Sequence, residues 1–353
     1  MQCRKRTGPS VPGTCQGGCI LIDRNILFAV NRLASLSLIE KIRLLNSFNT
    51  GENFKDLSRF ELEWILNRKL RIRKFNIREL LEQGISDLKR TESLGISWCW
   101  YGSPSYPSIL KNIYDPPFLL FWRGTLPPEA VGALAVVGTR KPALEADRSA
   151  FALGLDAARG DIPLISGLAA GIDGSAHKGV VEGGGKTWAV LGTGCDIAYP
   201  RQHRKLAAEI LNKGGGLISE YIPGTGAARY NFPKRNRIIS GLSDSVVIVQ
   251  APVRSGALYT ADFALDQGRD VYVHESGLYG RKSGGTASLA DQGATVIGAL
   301  KDIYPNLTEA GHSMNESYGL ASGSTGDAGR HASTMMSKEL KGSLSFYKGR
   351  VQY

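Results

Sequence analysis

The chain is poor in the residues that build metal boxes, disulfide frameworks and membrane spans. Its 353 residues hold five cysteines, Cys3, Cys15, Cys19, Cys99 and Cys195, with no paired ligand spacing. Cys15 and Cys19 lack a matching Cys or His pair downstream, which argues against zinc or any other metal. An odd, scattered count reads as reduced thiols in a cytoplasmic protein. No run approaches the ~18 consecutive apolar residues of a spanning helix, so no membrane partner is expected. Gly, Pro and polar residues follow Arg4, Lys5 and Arg6, so the start does not read as a signal peptide. The dinucleotide fingerprint, the Walker loop and the nucleophile elbow are missing as well. No carboxylate pair stands out for acid–base work. These absences point to no cofactor, and to a site that holds its ligand rather than one that cuts it.

What is present is positive charge. Lys and Arg number 43 against 32 Asp and Glu, a formal net charge of +11. That balance favours a polyanion, nucleic acid ahead of a membrane surface. The densest expression is Tyr230-Asn231-Phe232-Pro233-Lys234-Arg235-Asn236-Arg237-Ile238-Ile239-Ser240-Gly241. It reads as a short loop opening into an apolar helix start. An aromatic face suits a base, the cations suit phosphates, and a helix N-terminus adds backbone donors. An isolated basic run is most often a solvated face, but this one keeps company with several Gly-rich turns.

Four regions are expected: a disordered tail over 1–23, a small helical domain over 24–95, an α/β domain over 100–305 and a flexible tail over 306–353. In the helical domain Leu27, Val30, Leu33, Leu36, Ile39, Ile42 and Leu45 recur at helical spacing, which predicts one helix ended by Asn49-Thr50-Gly51. Further helices are expected over 57–66 and 77–85. The basic run Arg68–Lys74 between them reads as a solvated face somewhat ahead of a nucleic-acid contact. Pro-rich segments at 103–107 and 115–117 precede a short buried strand, Phe118–Trp122. From 133 onward strand, Gly turn and helix repeat, with strands at Leu134–Val137, Pro163–Ile165, Thr187–Leu191, Leu217–Ile218, Ser245–Val249 and Val271–Val273. Helices fit at Ala146–Ala158, Gly174–Glu182, His203–Leu211 and after Thr260. Continuous apolar strands alternating with helices predict a mainly parallel sheet covered on both faces. Ligands of such sheets sit beyond the carboxyl ends of the strands.

The turns at those ends form the candidate site. Gly138-Thr139-Arg140 closes the first strand and offers a close backbone approach and a guanidinium fork. Ser166-Gly167-Leu168-Ala169-Ala170-Gly171-Ile172-Asp173 follows the second, two glycines four apart before a helix, a plausible anion nest. Asp173 reads equally as a cap or a ligand contact, and His177 as a structural histidine. Gly192-Thr193-Gly194 follows the third strand, with Tyr199-Pro200 a rigid turn beyond it. Ser219-Glu220-Tyr221 follows the fourth and leads into the basic run. Ser255-Gly256 opens the helix after the fifth.

This combination resembles the DprA/Smf family, the DNA-processing proteins of bacterial natural transformation. The carrying residues are Val137-Gly138-Thr139-Arg140, Ser166 to Asp173 with Ala176-His177, Leu191 to Gly194 with Tyr199-Pro200, Ile218-Ser219-Glu220, Phe232 to Gly241, and Ser255-Gly256 with Thr260-Ala261. Tyr106-Pro107 and Pro116-Pro117 match upstream. The resemblance spans about 100–300 in family order. It implies an extended Rossmann-like domain that binds single-stranded DNA in a basic pocket, helps a RecA-type recombinase load, is commonly a dimer and has no established catalytic reaction. By that resemblance Arg140 is a phosphate clamp, Lys234, Arg235 and Arg237 line the pocket, and Phe232 lies near a base. Gly138, Thr139, Ser166, Gly167, Gly171, Asp173, Asn236, Ser255 and Gly256 complete the expected DNA-binding set. The helical region corresponds to the sterile-alpha-motif-like module of some members. The chain departs from the family at Gln250, where an acid is common, at His274-Glu275-Ser276-Gly277 in place of Pro-Gly, and at Ala287 in place of Asn. A winged-helix pattern is lacking after 305. The competing enzyme reading is a phosphoribohydrolase of the lysine-decarboxylase-like group, whose Gly loop and catalytic Glu would fall at Ser255–Thr260 and Asp262. A protein-interaction scaffold is the third reading, and it leaves the basic rim without a purpose.

Overall fold

In a computed structural model the described residues are 22–48, 54–70, 75–129, 132–305, 307, 345–347 and 350–352. The expected tails fall outside them, apart from the ends nearest the folded regions and an antiparallel pair, Ser345–Tyr347 with Arg350–Gln352. The chain divides into two units, Met1–Leu88 and Lys89–Tyr353.

The first unit is helical: α1 (Arg24–Asn31), α2 (Leu38–Asn46), α3 (Arg59–Leu66) and the start of α4 (Ile77–Ser93). The apolar period from Leu27 to Leu45 predicts one helix, but the structure has two. Ser37 accepts from the Glu40 backbone N–H and Glu40 returns to the Ser37 N–H, a capping box that starts a new helix. Ile39 is consequently 70% exposed instead of continuing the buried stripe. Ser58 and Glu61 open α3 the same way.

In the second unit β1 (Ser97–Trp100), β2 (Leu119–Gly124), β3 (Leu134–Val137), β4 (Leu164–Ser166), β5 (Thr187–Val190), β6 (Gly216–Ser219), β7 (Ser245–Ile248), β8 (Asp270–His274) and β9 (Thr295–Ile297) form one sheet. Its order is β1-β2-β6-β5-β4-β3-β7-β8-β9. The strands from β6 to β9 in that order are parallel, and β2 joins β6 and β1 antiparallel. The expected α/β class with a mainly parallel sheet is what the chain adopts. The edge strands β1 and β9 are not expected from the sequence: each buries only one residue, so neither shows the continuous apolar run that marks the central strands. Between the strands lie α5 (Ser108–Lys111), α6 (Leu144–Arg159), α7 (Ile172–Glu182), α8 (Arg204–Asn212), α9 (Asn231–Gly241), α10 (Gly256–Asp266) and α11 (Gly284–Asp291).

Strand alternation divides the core between the two faces. Ala135, Val137, Ile165, Val190, Val246 and Ile248 pack with α9 and α10 on one side. Leu134, Val136, Leu164 and Val247 pack with α6 and α7 on the other. The chain runs outward from β3 through β4, β5 and β6, then returns to place β7 on the other side of β3. The crevice between β3 and β7 is therefore the topological switch point, where doubly wound sheets take their ligands.

One buried group makes this core pH-sensitive. His177 on α7 lies with Nδ1 2.8 Å from Thr187 Oγ1. That hydroxyl donates its one proton to the Leu164 carbonyl at 2.7 Å, so Nδ1 must donate, while Nε2 is buried with no partner among the described residues, which disfavours a second ring proton. Burial first, then the neighbouring His203 and Arg235, push the imidazole down to about 3. Against an unfolded value near 6.5, the unfolded chain binds the extra proton between those limits. Stability is thus complete above about pH 6.5 and is lost as pH falls, by about 1.4 kcal/mol per unit from this group. Urea unfolding at pH 7 and pH 5 is expected to show about 2 kcal/mol more acid loss in the wild type than in His177→Phe. Equal losses would show that this histidine is not the titrating group.

Candidate nucleic-acid interface

The residues at the switch point enclose a cleft of about 720 Å³. Its back is the join between strand ends. The Thr139 N–H donates to the Gln250 carbonyl at 2.8 Å, and the Ile172 N–H to the Thr139 carbonyl at 3.3 Å. A methyl on Gly138 would meet Ile172 Cγ1 at 2.6 Å and the Gln250 carbonyl at 2.9 Å, so only glycine lets β3, β7 and α7 converge here. Gly171, just before α7, holds φ at 78° with the Thr139 carbonyl where a Cβ would stand. Gln250 turns its amide oxygen to the Ala143 N–H at 2.8 Å. It thus fixes the loop after Arg140 without adding a negative charge to the cleft.

Segment 230–241 is expected as a loop followed by a helix; it is helix α9 from Asn231 onward. Pro233 sits in its first turn, where its missing N–H has no intrahelical partner to lose. A helix turns each successive residue by about 100°, so adjacent cations point in different directions. Phe232 faces the cleft, its ring 5.4 Å from Tyr199 at 37°, and the Arg140 guanidinium lies 5.3 Å from its centroid. Arg235 runs inward and is 3% exposed. Its Nη1 donates to the Gly167 carbonyl at 2.8 Å and also to the Val190 carbonyl, joining the ends of β4 and β5. Burial lowers its pKa to about 10, against the pull of Asp173, so it remains a cation under the cleft floor. Its Nε has no partner among the described residues. Burial raises the pKa of Asp173, while Arg235 and the backbone N–H groups of Ala169, Gly167 and Gly138 hold it down.

The expected DNA-binding set divides in two. Gly138, Thr139, Arg140, Asp173, Phe232, Arg235, Asn236, Ser255 and Gly256 line the cleft. Asn236 Nδ2 donates to the Gly256 carbonyl at 3.1 Å, and Ser255 caps α10 by accepting from Ala257. The structure places the remaining five otherwise. The Ser166 hydroxyl is buried and donates to the Val136 carbonyl at 2.6 Å. Gly167 lies beneath the cleft, where a methyl would meet Arg235 Nη1 at 2.5 Å and Asp173 Oδ2 at 2.6 Å. Gly171 shapes the entry to α7. Arg237 does not line the cleft: its Nη1 and Nη2 each donate to Glu220 at 2.8 Å and its Nε to Asp115 at 3.1 Å. Lys234 Nζ stands 3.5 Å from the same Glu220. The helical turn explains both, because positions 234 and 237 share the side of α9 that faces the end of β6.

The sequence pattern does not reveal Lys141, Arg229 and Lys282, which also line the cleft. They are brought together by topology: Lys141 adjoins Arg140 and Lys282 adjoins Arg281, while Arg229 has no cation beside it in sequence. Tyr199, expected merely as a turn residue, is the second ring of the aromatic pair. The lining therefore presents five cations against one carboxylate, Asp173, with two rings at its mouth. That arrangement suits phosphates flanking a stacked base. Asp262, the nearest acid to the α10 start, is not among the lining residues.

Residues 97–308 match the family model described as DNA recombination-mediator protein A. The chain is 37% identical to "Protein Smf" of Borreliella burgdorferi over 282 residues, 80% of this chain and 88% of that one. It is 39% identical to "DNA processing protein DprA" of Bacillus subtilis over 216 residues, 61% and 72% of the two chains. Among solved structures, DNA processing protein A of Streptococcus pneumoniae aligns with a TM-score of 0.64 at 29% identity, covering 80% of this chain and 97% of that one. The Helicobacter pylori protein, whose structure describes a single-stranded DNA binding mode, aligns with a TM-score of 0.54 at 25% identity over 60% and 95%.

Proposed function

Because this chain belongs to the DNA recombination-mediator protein A family, we propose that it binds single-stranded DNA in the switch-point cleft and passes that strand to a RecA-type recombinase. The observation that carries the reading is the cluster of Arg140, Lys141, Arg229, Arg235 and Lys282 around the Phe232–Tyr199 pair. Single strands expose base faces for stacking and a flexible backbone for the cations; a duplex hides its base faces. Phosphate contacts supply affinity without sequence preference. The role is that of a mediator without a catalytic step, working as a homodimer in the cytoplasm, in transformation or in general recombination. Among the described residues no helix is long and apolar enough to cross a membrane.

Fluorescence anisotropy of labelled oligo-dT against matched duplex, at two salt concentrations, tests the reading. Single strand is expected to bind more tightly, with affinity falling steeply as salt rises. Equal or stronger duplex binding would overturn it. Release of free base from a nucleoside monophosphate would establish the phosphoribohydrolase alternative instead.

A further inference from the structure

The segment 278–283, between β8 and α11, is not used by the cleft except through Lys282. Its base is clamped. Gly277 packs so closely on the Val249 carbonyl that a side chain there would collide with it. The buried Thr286 hydroxyl sits within donor reach of the Gly277 and Ser283 carbonyls, the latter at 2.9 Å. Between these anchors Gly280 adopts φ 90° and the tip projects. Lys282 Nζ donates to the Lys141 carbonyl at 2.7 Å, which fixes the tip beside the cleft mouth. Tyr279 is 79% exposed, and Arg281 is exposed with no ion pair among the described residues. The tip Leu278-Tyr279-Gly280-Arg281-Lys282-Ser283 contains no acid. An exposed ring followed by two cations on a clamped base matches what a single-strand track requires beyond its first pocket.

We propose that this tip is a distal segment of the DNA track: a base leaving the cleft stacks on Tyr279, and Arg281 and Lys282 take the phosphates on either side of it. The proposal rests on the single-strand reading of the cleft. It assigns to the loop the gain in affinity that a strand shows when it is longer than the cleft can hold.

The test compares oligo-dT of about four and about twelve nucleotides, the range over which single-strand sites fill. The protein is the full chain, wild type and Tyr279→Ala/Arg281→Ala, with Lys282 kept because it seats the loop. The wild type is expected to gain affinity with length. The double variant should bind the short strand as the wild type does and lose about tenfold on the long one. Its salt slope on the long strand should flatten by about 0.7, the share of one cation. Tyr279→Trp should keep the long-strand affinity and Tyr279→Leu should not. Equal affinities of variant and wild type at both lengths would overturn the proposal, as would an equal loss at both, which would make the loop a support of the cleft. If the wild type binds neither length, the cleft reading itself fails and this proposal falls with it.

Discussion

Arg237→Ala is expected to destabilise the fold by about 3–5 kcal/mol. Glu220 and Arg237 are 9% and 6% exposed in their side chains. The carboxylate receives both guanidinium nitrogens at 2.8 Å. Taking Arg237 away leaves a buried carboxylate whose closest remaining cation is Lys234, at 3.5 Å and half exposed. The cost is the stranded charge, not the sum of the bonds removed. It also frees the tie from α9 to the segment around Asp115, where Nε reaches the backbone carbonyl at 2.8 Å. Chemical-denaturant unfolding would measure it. Lys234→Ala should cost no more than about 1 kcal/mol, because the ammonium is half exposed and Arg237 still neutralises Glu220. Combining Arg237→Ala with Glu220→Gln should recover part of the loss, since the buried charge goes with its partner. A loss no larger than that of Lys234→Ala would refute the framework role. So would a folded, fully stable Arg237→Ala that has lost DNA binding.

The Arg-Asn-Arg block shows how far a sequence can be read and where reading stops. Its residue types announce an anion-binding segment, and its position after the fourth Gly turn puts it on the correct rim. Which of its cations reaches the ligand depends on whether the segment is loop or helix. Pro233 and the polar residues around it read as loop, yet helix α9 accepts proline in its first turn and then rotates Arg235 under the sheet ends and Arg237 onto Glu220. That partner lies seventeen residues earlier, at the end of β6, and no local pattern connects them. The strands were legible for the opposite reason. Each is a short, mostly apolar run closed by turn residues, glycines around β3 and β5 and Ser243-Asp244 before β7, so residue type alone locates β3, β5 and β7 to within a residue. Lys141, Arg229 and Lys282 were not legible, because each is an ordinary surface cation until the strand order brings 140 and 282 to one cleft. In the sequence Gln250 stands out only as a departure from the family pattern. Its function, holding Ala143 so that Arg140 faces the cleft, required the loop geometry.

Replacing Arg140, Lys141 and Arg229 together by Ala is expected to weaken single-strand binding by about a hundredfold, about 1 kcal/mol for each phosphate left without its cation. These three are exposed at the mouth, so their removal leaves no buried charge unpaired and the folded state should be unaffected. Arg140 contributes most of the geometry, because its stacking on Phe232 holds the guanidinium in place before the strand arrives. The diagnostic quantity is the salt dependence. Each cation removed from a single-strand site should lower the slope of log K against log salt by about 0.7, so the triple variant should lose about 2. Its affinity should then converge with that of the wild type near 1 M salt, where counterion release no longer contributes. What remains there is stacking on Phe232 and Tyr199, so Phe232→Ala should weaken binding by a similar factor at low and at high salt. Anisotropy titrations across a salt series separate the two contributions. A triple variant that loses affinity by the same factor at every salt concentration would mean that these cations shape the cleft without meeting phosphates, and the strand would have to run elsewhere on the rim.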